Sequence, residues 1–364
     1  MKKIKIILIL CIVAVFLIGM TSCTAAAETT AAAETTAAAE TTAAAETTAA
    51  AETETKDKFV IGYDIYWLGN AWSLQLAEEF KYAIQQEYAD QIEEVYYTSS
   101  DGDMAKNLSN FEDLVAKGCD IIFITPITPD NLVASIDDAM AKGIKVIVFG
   151  SAYAGENYTS FINISDYEWG VKSAEFIAES IDGKGKVAMI NGIAGSGSQV
   201  DTYEGAMSVF SKFPDITNLP EVYGEWDFSK TKIVMQDLLA AHPDIAAVWT
   251  FSEPRAVVET YKDNNLPYVP TIWHGENGEM KLWQEIKDEE GFDAVVVSKP
   301  STMSVDALHI GMAALQGEEV EKEVMLPVPI FTVDDLDDLI LPDLPDKIRV
   351  PTYLPVEKLK ELFE

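Results

Sequence analysis

The sequence predicts an α/β protein built as two doubly wound parallel-sheet domains, and three observations point there. Apolar runs rich in β-branched residues alternate with stretches of helical period, the alternation restarts near mid-chain, and the strand-like runs are continuously apolar. Strands of a parallel sheet are buried on both faces, so continuous rather than alternating runs are expected of them. In order, 59–63 reads as a strand, 70–88 as a helix, 94–98 as a strand and 103–117 as a helix. A strand at 120–125, a helix at 129–142 and a strand at 145–149 complete the first half. The second half opens with a short β run at 160–164, a helix at 167–181 closed by Asp182-Gly183, and a strand at 186–190. A helix at 199–213 stops at Pro214, a strand follows at 221–224, and the helix at 230–241 ends before Pro243. Strands at 245–251, 271–273 and 294–298 then alternate with helices at 254–264 and 277–289. Ligands of open α/β sheets bind beyond the carboxyl ends of the strands, so two such sheets imply a cleft between domains.

The first 57 residues carry an address. Lys2, Lys3 and Lys5 precede an apolar run at 6–18, and Met20-Thr21-Ser22-Cys23 follows. This is a positively charged n-region, an h-region too short for a spanning helix of roughly 20 residues, and a small-residue cleavage site. It resembles a bacterial lipobox, with Met20 where Leu is usual, which implies residues 1–23 as signal peptide and Cys23 as the lipidated residue. The unit Thr-Ala-Ala-Ala-Glu-Thr then recurs five times from Thr24 to Thr53. It holds no large apolar side chain and cannot offset its ordering entropy, so 24–57 is expected as a stalk, disordered or nascent helix. Its reach is on the order of 50 to 100 Å, according to how extended it is.

Composition excludes several functions. With 26 Lys and Arg against 60 Asp and Glu, the net charge is −34, and a nucleic-acid face would need a basic stripe that is absent. Of three cysteines, Cys11 leaves with the signal and Cys23 is the lipid site, so neither a disulfide framework nor a His/Cys metal cluster is expected. Cys119, at the head of the apolar run 121–124, reads as a buried structural thiol. No cofactor is expected. The Gly-rich stretch 192–197 lacks the Lys-Ser/Thr of a P-loop and the spacing of a dinucleotide fingerprint. No Gly-x-Ser-x-Gly elbow is present, and three His leave little room for a triad, so the protein is not expected to be an enzyme.

Gly192-Ile193-Ala194-Gly195-Ser196-Gly197 and the stretch 235–248, with Ala241-His242-Pro243-Asp244 inside it, are similar to segments of the ribose-binding class of periplasmic sugar-binding proteins. The resemblance extends to Lys117-Gly118-Cys119-Asp120, Lys142-Gly143-Ile144-Lys145 and Ser165-Asp166 ahead of Gly170, and runs in order over most of 58–330. It implies the type I periplasmic-binding-protein fold: two lobes joined by a three-crossover hinge, closing on a ligand and delivering it to an ABC permease. Carried onto this sequence, the crossovers fall near Ser165, Ser298 and Leu326. One lobe is then 58–164 plus 299–325 and the other 165–298 plus 326–364, with a monomer expected.

At the site this sequence differs from that family. Where the family carries Asp-Arg after its fourth strand, Gly150-Ser151 stands here. Thr202 stands near the usual Arg, Ser252-Glu253 replaces Asn-Asp, His274 replaces an Asp before Gly275, and Ser298 falls near a Gln. The aromatics match better: Trp72 falls after the first strand, and Trp226 matches a residue that packs on the sugar ring. The candidate ligand-binding set is therefore Trp67, Asn70, Trp72, Ser151, Thr202, Trp226, Ser252, His274 and Ser298. Indole faces stack on sugar C–H groups and each indole offers one N–H donor. His274 reads equally as a ligand contact or as a loop-stabilising hydrogen bond, with titration near neutral pH open to it. Trp249 and Trp273 add aromatics at strand ends, and Glu253 with Arg255 reads as a surface pair at a helix start ahead of a site ion pair. A sensor-coupled ligand receptor and a nucleoside-binding lipoprotein fit the same features. The stretch 334–346 and the tail to Glu364 are unassigned beyond a strap along the second lobe.

Overall fold

The computed structural model describes Lys56 and residues 58–363. The expectations for the signal peptide, Cys23 and the repeat lie outside the described residues. Two sheets organise the remainder. The first has the order β12-β5-β4-β3-β1-β2, from β1 (Phe59–Ile65), β2 (Ile92–Ser99), β3 (Ile121–Ile124), β4 (Lys145–Phe149), β5 (Ser160–Ile164) and β12 (Glu323–Leu326). All its pairings are parallel. The second contains β6 (Lys184–Asn191), β7 (Asp215–Asn218), β8 (Val222–Tyr223), β9 (Ile245–Thr250), β10 (Thr271–Trp273), β11 (Ala294–Val297) and β13 (Ile330–Phe331). Its order is β13-β11-β10-β9-β6-β7, with β8 also on β6, and β13 is antiparallel to β11. This is the predicted fold class, two doubly wound lobes, and in each the strand order reverses beside the first strand.

The helices are α1 (Ala71–Ala83), α2 (Met104–Ala116), α3 (Val133–Ala141), α4 (Asp166–Ser180), α5 (Gly197–Phe210), α6 (Phe228–Ala241), α7 (Pro254–Asp263), α8 (Asn277–Ile286), α9 (Met303–Leu315), α10 (Leu336–Leu339) and α11 (Val356–Phe363). Polar caps start several of them. Asn70, Asp103, Ser165, Ser196 and Asp227 each accept from a backbone N–H in the first turn. The closest helix pair is α4 on α5, which glycines make possible. A Cβ on Gly170 would lie 2.0 Å from the Thr202 carbonyl oxygen, and one on Gly205 would lie 2.1 Å from that of Tyr167.

The backbone passes between sheets three times: after β5 into α4, after β11 into α9, and after β12 into β13. The cores are apolar and aromatic. Tyr63, Phe80, Phe123 and Phe149 pack as a tilted and edge-on set under the first sheet, while Trp169 and Trp249 meet edge to face at 6.3 Å under the second. Cys119 is buried and free, its thiol pushed up to about 11 by burial, as suits a structural thiol. Some elements differ from expectation. The helix at 70–88 is α1 ending at Ala83 and continued by a π turn, Ile84–Tyr88. Strand β7 and the helices and strands after β11, α9 among them, had no secondary-structure assignment from the sequence.

Candidate functional site

A cavity of about 330 Å³ lies between the two sheets. Its walls come from the loops at the carboxyl ends of strands in both lobes, the place this fold reserves for ligands. Beyond β1 stand Tyr66, Trp67, Asn70 and Trp72, and beyond β4 Gly150 and Ser151. The facing lobe contributes Trp169, Trp226, Phe251, Ser252, Glu253, His274 and Glu276. Lys299, in the second crossover, and Arg349, from the C-terminal segment, close the floor. The lobes touch at the mouth. A Cβ on Gly197 of the second lobe would sit 2.6 Å from Ala152 Cβ and 3.2 Å from Pro129 Cγ of the first, so the structure is the closed arrangement.

Three of the four lining indoles present faces, not donors. Trp72 Nε1 donates to the Lys299 carbonyl at 2.8 Å, Trp226 Nε1 to the Phe251 carbonyl at 2.7 Å and Trp169 Nε1 to that of Val297 at 2.8 Å. The expected indole N–H donor is therefore spent on backbone at all three, and apolar ring remains for the cavity. Trp226 is held with unusual firmness. Glu225 and Trp226 both have positive φ, 56° and 53°, a region costly for bulky residues. The Trp226 N–H donates to Ser252 Oγ at 3.1 Å, the ring meets Phe251 edge to face at 5.9 Å, and Gly192 leaves room for the indole, since a Cβ there would lie 2.3 Å from it.

Of the nine sequence candidates, Trp67, Asn70, Trp72, Ser151, Trp226, Ser252 and His274 line the cavity. Thr202 and Ser298 do not. Thr202 is fully buried inside α5 against the Gly170 approach, and Ser298, 1% exposed, passes behind the wall with its N–H donated to the Pro329 carbonyl. Asn70 Oδ1 is occupied by the Ser73 N–H at 2.8 Å and Ser252 Oγ by Thr231 Oγ1 at 2.8 Å, so both first shape the loops. Trp249 and Trp273 are core residues, fully buried.

The electrostatics also correct two expectations. His274 does not titrate near neutrality: burial, then the Arg349 charge, pull it down to about 3, and its Nε2 lies 3.0 Å from the Thr250 carbonyl. Glu253 and Arg255 are not a pair. Arg255 Nη1 reaches Asp346 Oδ2 at 2.8 Å, whereas Glu253 makes no cap hydrogen bond at the start of α7 and lines the cavity. Glu253 is pushed well above the carboxylate range, first by burial and next by the Glu276 charge. Glu276 is raised to about 7 by burial and then by Glu279, against Arg349, whose Nη1 is 4.0 Å from Glu276 Oε1. Glu279 Oε2 accepts the N–H groups of His274, Gly275 and Glu276 at 2.8 to 3.0 Å and so fixes the loop after β10. Across the cavity Lys299 Nζ pairs with Asp166 Oδ1 at 2.8 Å and donates to Ser198 Oγ at 3.2 Å.

Sequence reasoning missed Trp169, Phe251, Lys299, Glu276 and Arg349 as cavity residues, and set Glu253 at a site position while favouring a surface role for it. Lys299 adjoins the named Ser298, so strand-end position alone could have found it. Among the described residues no group of His, Cys, Asp or Glu is arranged to hold a metal ion, and no helix is long and apolar enough to cross a membrane.

Known proteins agree with this architecture. Residues 61–319 match the family described as periplasmic binding protein domain. The ribose import binding protein of Bacillus subtilis is 24% identical over 279 residues, 76% of this chain and 88% of that protein. The xylitol-binding protein of Mycolicibacterium smegmatis is 22% identical, covering 67% and 70%. Among solved structures, an ABC transporter solute binding protein from Thermobispora bispora superposes with a TM-score of 0.74 at 22% identity, over 84% of this chain and 94% of that one. A two-lobed parallel α/β body with a family match over most of its length leaves one conclusion: this chain belongs to the periplasmic binding protein family.

Proposed function

We propose that the protein is an extracytoplasmic solute-binding lipoprotein that captures a monosaccharide-sized sugar or polyol between its lobes and hands it to an ABC permease. One observation carries the ligand class. Of the four indoles in the cavity wall, Trp72, Trp169 and Trp226 each turn the N–H to a backbone carbonyl, which leaves faces suited to sugar C–H groups, and Trp67 is the fourth. Its volume, near 330 Å³, sits at the low end of small-molecule sites, roughly 300 to 1,000 Å³. Ser151, Glu253, Glu276, Lys299 and Arg349 supply polar groups for hydroxyls. The similarity to proteins named for ribose, xylitol and allose supports the same class. Anchoring rests on the lipobox at Cys23, and delivery to a permease rests on the family. No catalytic role is assigned.

Thermal denaturation across a panel of pentoses, hexoses, alditols and nucleosides tests the reading. A ligand that binds only the folded state at about 100 times its Kd adds about 2.7 kcal/mol and raises the midpoint. A shift with sugars or alditols is expected. No shift across them, or one with nucleosides alone, overturns the ligand class. Labelling of the expressed protein with a radioactive fatty acid, lost in Cys23→Ala, tests the anchor.

A further inference from the structure

The C-terminal segment lies beyond the family match, which ends at residue 319, yet it touches both lobes and the cavity. Its first part belongs to the second lobe. Leu336, Leu339, Leu344 and Ile348 pack with Trp273, Met280 and Trp283. Asn277 Nδ2 donates to the carbonyls of Leu341, Leu344 and Pro345 at 2.8 to 3.1 Å, and Val350 N–H donates to the Gly275 carbonyl at 2.8 Å. Within a few residues the segment changes lobes. The Arg349 N–H donates to Gln75 Oε1 at 2.8 Å, and Gln75 Nε2 returns a bond to the Arg349 carbonyl at 3.0 Å, both in the buried interior of α1. Thr352 Oγ1 and the Tyr353 N–H then donate to Glu79 Oε1 at 2.9 and 3.0 Å, and Tyr353 Oη bonds to Glu87. Finally Leu354 and α11 lie beside Tyr82 and Gln85 on the outer side of α1.

We propose that residues 332–363 form a strap that restrains opening of the two lobes and that Arg349, at its midpoint, is a cavity group linking the strap to ligand occupancy. The Arg349 side chain lines the cavity, and its Nη2 donates to the His274 carbonyl at 2.5 Å. One residue thus touches α1 of the first lobe through its backbone, the loop after β10 of the second lobe through its guanidinium, and the space a ligand fills. The strap is bonded both to α1 of the first lobe and to the β10 loop of the second, so an opening that parts the two works against it. Two sites that bias one equilibrium are linked reciprocally: a docked strap favours the closed, binding-competent arrangement, and a ligand tightens the strap. The linkage to occupancy rests on the proposed function, whereas the restraint on opening does not.

Hydrogen exchange on the full-length protein separates the two. Gln75→Met keeps the bulk of the side chain and removes both bonds to Arg349, and truncation after Leu354 removes α11. Without added ligand, at least one of these variants is expected to exchange about tenfold faster at the lips, residues 150–154 and 195–200, as well as in the strap. Faster exchange confined to 349–354 with unchanged lips in both variants overturns the restraint. For the unmodified protein the probes are xylitol and the pentose ribose. A probe that raises the melting point is expected to slow exchange at 349–354, and one that does so while leaving the strap unchanged overturns the linkage. If neither probe binds, the sugar reading is weakened while the ligand-free comparison still decides the strap.

Discussion

The lips of the cleft offer a perturbation that acts on closure and leaves each lobe intact. Gly197 opens α5 on the second lobe, and a Cβ there would lie 2.6 Å from Ala152 Cβ and 3.2 Å from Pro129 Cγ on the first. Carbon atoms rest at about 3.5 to 4.0 Å, so Gly197→Ala demands roughly 1 Å of separation at the mouth. Overpacking of this kind costs about 1 to 3 kcal/mol where the surroundings cannot relax. That cost falls on the closed arrangement alone, because both clashing partners belong to the other lobe. Ligand affinity should therefore drop by roughly 5- to 150-fold, at about tenfold per 1.4 kcal/mol. The unliganded melting point should hold, helped by the higher helix propensity of Ala. Isothermal titration with the strongest ligand of the panel, beside calorimetric melting without it, reads both quantities. Unchanged affinity would refute the reasoning, since it would mean that binding does not require these lips to meet.

Three further outcomes follow from particular residues. Trp226→Ala should weaken the ligand by about 1 kcal/mol or more through lost stacking, whereas Trp273→Ala should cost about 3 to 5 kcal/mol of stability as a core cavity; titration and urea unfolding of both variants check the division, and a Trp226→Ala variant of full affinity removes that ring from the site. Gly205→Ala should destabilise by about 3 kcal/mol or more, because the new Cβ would stand 2.1 Å from the Tyr167 carbonyl oxygen; urea unfolding measures it, and a neutral result would mean that α4 and α5 are not packed this closely. His274 is held down to about 3, against about 6.5 unfolded, so below pH 6.5 the unfolded state binds the extra proton and stability falls as pH drops through 6.5 towards 3. His274→Gln should lose that contribution, worth about 2 kcal/mol between pH 7.5 and 5; an unchanged difference in urea midpoints between the two pH values would contradict it.

The fold class was legible because parallel strands buried on both sides leave uninterrupted runs such as 121–124 and 145–149. Elements without such a signature escaped. Strand β7 is half exposed, with Ile216 its single large apolar residue, and α9 is apolar on most sides because it packs against β3, β4 and β5 and has no polar face to set a period. At the site, the match to the family's aromatics identified Trp72 and Trp226, and position after a strand identified His274, but not what each group does. The donor count of an indole, the titration of His274 and the solitude of Glu253 depend on neighbours brought from distant segments. Arg349 shows the limit most clearly, since nothing local in Ile348-Arg349-Val350 points to a cavity that Gln75 and His274 place around it.

The most direct test of capture between the lobes is the crystal structure of the complex with the best sugar or alditol from the panel. A closed cleft is expected, with the ligand against the faces of Trp72 and Trp226 and its hydroxyls on the polar groups around Glu253 and Arg349. A ligand seated outside the interlobe cavity, or bound within it away from both indoles, would contradict that mode of capture.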